Sequence, residues 1–149
     1  MFNYLKSIAF ILLLLLPLSI MAQTLDQYRW NNRLVLVFAP QPTDDLLLKQ
    51  LALFKNKEAD FAERKIQFIF SPTTFEAGNE HLFPEGTVWA DHYTQFAVNT
   101  TDFALILIGL DGSEKFRSGP TLTAPKALFD RIDQMPMRRQ ELSARKRKN

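Results

Sequence analysis

Apolar residues form three continuous runs along the chain, at 33–39 (Arg-Leu-Val-Leu-Val-Phe-Ala), 65–71 (Lys-Ile-Gln-Phe-Ile-Phe-Ser) and 103–109 (Phe-Ala-Leu-Ile-Leu-Ile-Gly). Runs of this length that are rich in β-branched and aromatic residues are typical of strands buried on both faces. The pattern therefore predicts three central strands.

A helix is predicted between the first two strands. Thr43 can cap its start, and Asp44 and Asp45 fall in the first turn, where the helix dipole favours carboxylates. Apolar residues then recur near helical spacing as far as residue 62, although Asn56 weakens the middle of the pattern. Strand, helix and strand at this spacing form a βαβ unit, so the two flanking strands should be parallel.

The second half begins with a long insert, 72–102, that has no strong periodicity beyond a short helix near 91–96. Such a segment is either a functional loop or a decoration. The dipeptide Asp111-Gly112 predicts a hairpin turn into an alternating strand at 114–118.

A last helix should begin at Thr123, with Pro125 in its first turn, and Pro136 should end it. The predicted order is β-α-β, insert, β-β-α. This is the order of an α/β, thioredoxin-like core, in which a central mixed sheet has helices on both faces.

The N-terminal residues 1–22 have the features of a secretory signal peptide. Lys6 precedes an unbroken apolar run at 8–16, and the small residue Ala22 offers a cleavage site. The alternative is a retained membrane anchor, but the run is shorter than a bilayer span and Pro17 interrupts its end. We therefore expect an exported protein, periplasmic or secreted.

Basic charge is concentrated at the C-terminus. Residues 138–148 contain six Lys or Arg against Glu141, whereas residues 23–137 contain 11 basic and 15 acidic residues, a net charge of −4. This balance argues against nucleic acid as a partner of the domain, predicted at 23–141. A basic tail at 142–149 is expected to be disordered and to make weak contact with an anionic membrane.

The chain contains no cysteine. This excludes disulfides, thiolate metal sites and thiol catalysis, so thiol oxidoreductase or peroxidase activity is not expected. In thioredoxin-like proteins the chemistry lies between the first strand and the following helix. There, Thr43 is either a substitute hydroxyl or, as we favour, a helix cap. Asp44 and Asp45 point about 100° apart on a helix, which argues against a shared acid–base site.

The insert contains most of the possible metal-ligand chemistry. His81 and His92 lie eleven positions apart, and the nearby acidic residues are Glu80, Glu85 and Asp91. A metal-assisted enzyme with its site in 72–102 is therefore the alternative function, although no close-spaced ligand motif is present. We predict no cofactor, no metal ligand and no catalytic residue.

Three segments resemble a known family: 28–38 (Tyr-Arg-Trp-Asn-Asn-Arg-Leu-Val-Leu-Val-Phe), 107–115 (Leu-Ile-Gly-Leu-Asp-Gly-Ser-Glu-Lys) and 132–139 (Ile-Asp-Gln-Met-Pro-Met-Arg-Arg). The similarity is to a secreted family of unknown function, found as single bacterial domains and within vertebrate sushi-repeat matrix proteins. That family is placed near peroxiredoxins, among thioredoxin-like proteins. The resemblance supplies no established activity.

We therefore expect a non-catalytic binding or envelope-associated module, with an unknown envelope protein or ligand as its partner. The candidate binding surface is taken from these three segments, although a Trp next to a strand often packs on the core and Lys115 is suited to a solvated edge. The candidate residues are Trp30, Arg33, Asp111, Lys115, Arg138 and Arg139.

The export prediction is testable on the native protein. Cleavage after Ala22 should give a mature chain that begins at Gln23, because the small residue meets the requirement of signal peptidases. N-terminal sequencing measures this directly. An intact Met1 on membrane-bound protein would show that the segment is an anchor.

Overall fold

A computed structural model describes residues 24–73 and 80–148. The predicted signal peptide at 1–22 lies outside these residues. Within the described residues, no helix combines the length and the apolar composition that a bilayer span requires.

Five strands form one mixed sheet in the order β3-β2-β1-β4-β5. Strand β1 at its centre is parallel to β2 and antiparallel to β4, while β3 extends β2 in parallel and β5 forms a hairpin with β4. The two-residue strand β3 was not predicted. The strands are β1 (Arg33–Ala39), β2 (Ile66–Pro72), β3 (Val88–Trp89), β4 (Ala104–Ile108) and β5 (Glu114–Arg117).

The central strands are buried on both faces, as their continuous apolar runs predict. Every residue of β1 and β4 is buried. Alternate side chains of β1 enter two separate clusters, with Val35 and Val37 in one and Leu34, Leu36 and Phe38 in the other. The thioredoxin-like α/β arrangement, with a core on each side of the sheet, is confirmed.

The helical segment after β1 is divided into α1 (Asp45–Phe54) and α2 (Glu58–Glu63). The break falls at Asn56, which adopts a left-handed conformation (φ 62°) that asparagine tolerates better than most residues. The cap prediction was wrong by one residue. Asp44 rather than Thr43 accepts the backbone N–H of Leu47, at 3.0 Å.

Helices lie on both faces of the sheet. One face is covered by α1, α2 and α4 (Pro125–Asp133), and the other by a 3₁₀ turn (Leu25–Tyr28) and α3 (Tyr93–Phe96). Thr123 does not cap α4, which begins after Ala124 without a side-chain cap. Instead, the backbone N–H of Thr123 donates to the buried side-chain amide of Gln50 at 2.7 Å, and its carbonyl accepts from the same amide at 2.8 Å. These two hydrogen bonds join α1 to the start of α4.

The C-terminal segment differs most from the sequence prediction. Helix α4 ends before Pro136, as predicted, but Pro136 begins a further helix, α5 (Pro136–Lys146), that was not predicted. Proline suits the first turn of a helix, where its missing N–H has no intrahelical partner. The expected disordered tail at 142–149 is therefore helical through Lys146, and Arg145 donates to Glu63 at 3.1 Å.

A network of ion pairs holds α5 at the end of the sheet where β1 begins. The guanidinium of Arg33, whose side chain is 0% exposed, donates to the carbonyl oxygen of Arg64 at 2.9 Å. It also contacts both carboxylate oxygens of Glu141, at 3.3 and 3.5 Å. Since a buried guanidinium needs partners, this contact ties the first residue of β1 to the last helix.

Arg138, whose side chain is 4% exposed, is the second centre of the network. It donates to Glu63 at 2.9 Å and to Asp133 at 3.0 Å, and contacts Glu141 at 3.4 Å. Its hydrogen bond holds the pKa of Glu63 below the ordinary value. Burial acts to raise the pKa of Asp133, but hydrogen bonds from Arg64 and Arg138 lower it overall.

We expect Arg138→Met to lower the free energy of unfolding at neutral pH by about 2 kcal/mol, less than for a fully enclosed pair because the carboxylates stay partly hydrated. Because folding lowers the pKa values of Glu63 and Asp133, their ionised forms stabilise the fold fully at pH values above the ordinary pKa values of 4.5 and 3.8. This stabilisation is lost as the pH falls through the lowered pKa values. The variant should therefore approach the wild type in acid. Urea unfolding across pH measures both effects.

The matched control is Arg139→Met, which removes the same charge at the next position. Arg139 is exposed and takes part in no ion pair of residues 24–73 and 80–148. Its replacement should leave stability nearly unchanged. Equal losses from the two variants would contradict a stabilising role for the network.

Candidate binding site at the base of the sheet

The loop after β1 is the position at which thioredoxin-like proteins hold their chemistry, and here its neighbouring hydroxyl groups bind main-chain carbonyls. Tyr93 donates to Ala39 at 2.8 Å, and Ser71 donates to Ala90 at 2.6 Å. The hydroxyl of Thr73 donates to Pro40. Burial raises the pKa of Tyr93 to about 12, which keeps the phenol protonated. These hydroxyls serve to fix the backbone.

The histidines of the insert do not converge. His81 lines a groove beside α1, next to Phe83 of one core cluster. His92 is buried near the other cluster, with Nδ1 3.0 Å from Oε1 of Gln95 and its ring edge-on to Phe96. Among residues 24–73 and 80–148, no group of three or more His, Asp or Glu side chains is placed to hold a metal ion.

Two of the three family-like segments meet at the base of the sheet, the end at which β1 begins and β4 ends. The backbone N–H of Trp30 donates to the carbonyl of Leu110 at 2.8 Å, and Nε of Arg29 donates to that of Asp111 at 3.1 Å. Trp30 has a left-handed backbone (φ 66°), and it is 59% exposed. The fold thus presents an aromatic ring to solvent on a fixed backbone.

The β4–β5 turn supports this arrangement. Asp111 accepts hydrogen bonds from Lys115 at 2.7 Å and from the backbone and hydroxyl of Ser113, at 3.0 and 2.9 Å. The hydrogen bond from Lys115 is the main reason that the pKa of Asp111 falls to about 2. Gly112 adopts φ +79°, and a Cβ there would lie 3.0 Å from Nε of Arg29. Glycine therefore allows Arg29 to pack across the turn.

A cavity of about 170 Å³ opens beside this contact. Two-thirds of its lining, including Leu34 and Ile108, comes from the two family-like segments, which are about eighty positions apart in the chain. The other lining residues from these segments are Tyr28, Arg29, Asn32, Gly109, Gly112 and Glu114.

The structure separates the six candidate residues into three groups. Trp30, Asp111 and Lys115 lie together at the base of the sheet. Arg33 and Arg138 are buried in the ion network, so they are not accessible to a partner, contrary to their assignment to a binding surface. Arg139 is exposed on α5.

None of the six candidate residues lines the cavity, and among the lining residues that sequence reasoning missed are Arg29, Asn32 and Gln95. Arg29 and Asn32 stand inside the quoted segment 28–38, so that segment already contained their signal. Gln95 comes from the insert, and no pattern in the sequence connects it with the base of the sheet.

A curated relative of the chain is coiled-coil domain-containing protein 80 of Danio rerio. The two are 24% identical over 134 residues, which is 80% of this chain and 16% of that protein. The chain thus spans about a sixth of the length of this relative.

Solved structures of thioredoxin-like enzymes share the fold. A reduced 2-Cys peroxiredoxin of Plasmodium vivax superposes with a TM-score of 0.56 at 12% identity, covering 78% of this chain and 84% of that one. A secreted Mycobacterium tuberculosis disulfide oxidoreductase homologous to E. coli DsbE gives 0.54 at 15% identity, covering 74% and 86%. A yeast mitochondrial 1-Cys peroxiredoxin gives 0.59 at 11% identity, covering 78% and 68%. At these identities the likeness concerns the fold.

The family expected from the sequence is confirmed by a family model that matches most of the chain. The match runs over residues 24–141, from the start of the described structure into α5. The chain belongs to the family described as the domain of unknown function DUF4174.

Proposed function

We propose that this protein is an exported, non-catalytic binding module that holds its partner at the base of the sheet. The observation that supports this most is the exposed Trp30 on its fixed backbone, held by Leu110. Export rests on the N-terminal segment alone. The absence of cysteine from a fold shared with peroxiredoxins and a disulfide oxidoreductase supports binding over thiol chemistry.

Trp30 is suited to be the centre of a contact. A tryptophan buries a large apolar area on binding and adds an N–H donor, and such residues frequently dominate the energy of interfaces. Its position costs free energy in the unbound protein, since a non-glycine residue with positive φ is strained. Binding of an envelope protein would cover this ring.

The test uses a photoreactive amino acid at position 30 of the full-length protein in its native cells. We expect irradiation to give a discrete crosslinked species in the envelope fraction, because the side chain at 30 faces the partner. The matched control is position 53, where Leu53 on α1 is also an exposed apolar residue. The same crosslinks at both positions, or none at 30, would contradict the proposal.

A second contact, with an anionic membrane, is proposed for the outer side of α5. Arg139 and Lys146 are both exposed and lie seven positions apart, which places them on one side of the helix. Arg147 and Lys148 follow at its end, whereas Arg145 is engaged by Glu63. Each basic residue near an anionic surface contributes about 1 kcal/mol, which gives weak and reversible attachment.

Truncation after Arg145 should therefore reduce binding to phosphatidylserine-containing vesicles while leaving the melting temperature nearly unchanged, since the Arg145–Glu63 contact is kept. Co-sedimentation at low and physiological salt measures the effect, which should weaken with salt. The control replaces three exposed lysines near α1 (Lys49, Lys55 and Lys57) by glutamine, the same change in charge elsewhere. Equal binding by both variants, or binding independent of salt, would contradict this contact.

A further inference from the structure

We infer that the cavity at the base of the sheet binds one small, neutral, polyhydroxylated ligand, of the size and chemistry of a single sugar ring. This inference rests on the proposed function, because it gives the ligand class of the binding end of the module. The volume of about 170 Å³ is below the range of about 300–1,000 Å³ that holds drug-sized ligands. It therefore suits one small ring rather than a folded peptide segment.

The inner part of the cavity is apolar and aromatic. Leu34 and Ile108 are buried at the start of β1 and the end of β4. Tyr28 and Phe96 are half-buried and contribute aromatic side chains to the lining. Such surfaces accept the C–H faces of a sugar ring, which are its apolar part.

The charged groups around the cavity are neutralised by one another. Arg29 pairs with Asp26 at 3.8 Å, and Glu114 forms two hydrogen bonds with Arg117, at 2.7 and 2.9 Å. An anion such as phosphate would need uncompensated positive charge, and a divalent cation would need converging carboxylates. The balance of charge therefore favours a neutral ligand.

Two amide side chains supply the hydrogen-bonding groups. Asn32 is half-buried, and within the described part of the chain its side-chain amide has no hydrogen-bond partner. Gln95 uses Oε1 toward Nδ1 of His92, which leaves its NH₂ group for another acceptor. Amides can both donate to and accept from hydroxyl groups, as the recognition of a sugar requires.

The experiment titrates the full mature protein with N-acetylglucosamine and with glucose, and follows backbone amide shifts by NMR. Saturable shifts at Asn32, Gln95 and Gly112 in the millimolar range are the expected result. The charged comparison probes are the free amino acid glycine, which is a zwitterion, and inorganic phosphate. Saturable binding of either at these residues, with no response to the two sugars, would overturn the inference.

A variant pair tests the polar contact. Asn32→Leu keeps the side-chain size but removes the amide, and should weaken sugar binding about fivefold, the equivalent of losing one hydrogen bond of about 1 kcal/mol. Gln140→Leu removes an exposed amide on α5, outside the cavity lining, and should leave binding unchanged. Equal affinities for the two variants would overturn the assignment of Asn32.

The wild-type titration does not depend on whether the Asn32 variant folds. The absence of saturable shifts with both sugars overturns the inference, while crosslinking from position 30 measures the proposed function separately. A cavity that binds no sugar in a protein that still crosslinks through position 30 would thus refute the ligand class alone.

Discussion

The burial of Arg33 is the constraint on which much of the structure depends. It is the first residue of the central strand, and its side chain is fully enclosed. A guanidinium in such a place costs several kcal/mol unless it is paired. Its partners are the carbonyl of Arg64, just before β2, and Glu141, which is 108 positions away in α5. The central strand is therefore correctly enclosed only when the last helix has docked, which makes α5 part of the fold rather than an appendage.

This docking leaves the two ends of the sheet with different properties. At the C-terminal end of β1, Ser71 and Tyr93 donate to main-chain carbonyls, so their hydroxyls serve the loops. At the base, Arg33 and Arg138 are buried in the ion network, while Trp30 and the cavity beside it are exposed to solvent. The recognition surface that we propose therefore lies at the end of the sheet opposite the loop after β1. The residues of the ion network and those of the proposed surface are neighbouring but separate.

The sequence predicted what depends on local pattern. Continuous apolar runs located β1 and β4, because a strand buried on both faces has no polar alternation to obscure it. Asn56 weakened the pattern of a single expected helix, but the break into two helices and the left-handed conformation at this residue were not predicted. Other features depend on distant partners. In the sequence, nothing distinguishes Arg33 from a surface arginine, because its partner Glu141 is 108 positions away. Strand β3 is formed by only two residues and is defined by their pairing with β2. For the site, the sequence identified the segments that meet but not the cavity between them.

The backbone of Trp30 gives the strongest physical reason to regard the base of the sheet as functional. A left-handed conformation at a non-glycine residue costs about 1 kcal/mol, and a tryptophan left largely exposed recovers little of this by packing. The carbonyl of Leu110 holds the residue in place, and Gly112 allows Arg29 to lie across the same turn. Glycine at position 30 would adopt this backbone without strain. The large ring is therefore not needed to form the turn, and the partner contact that we propose would account for its placement.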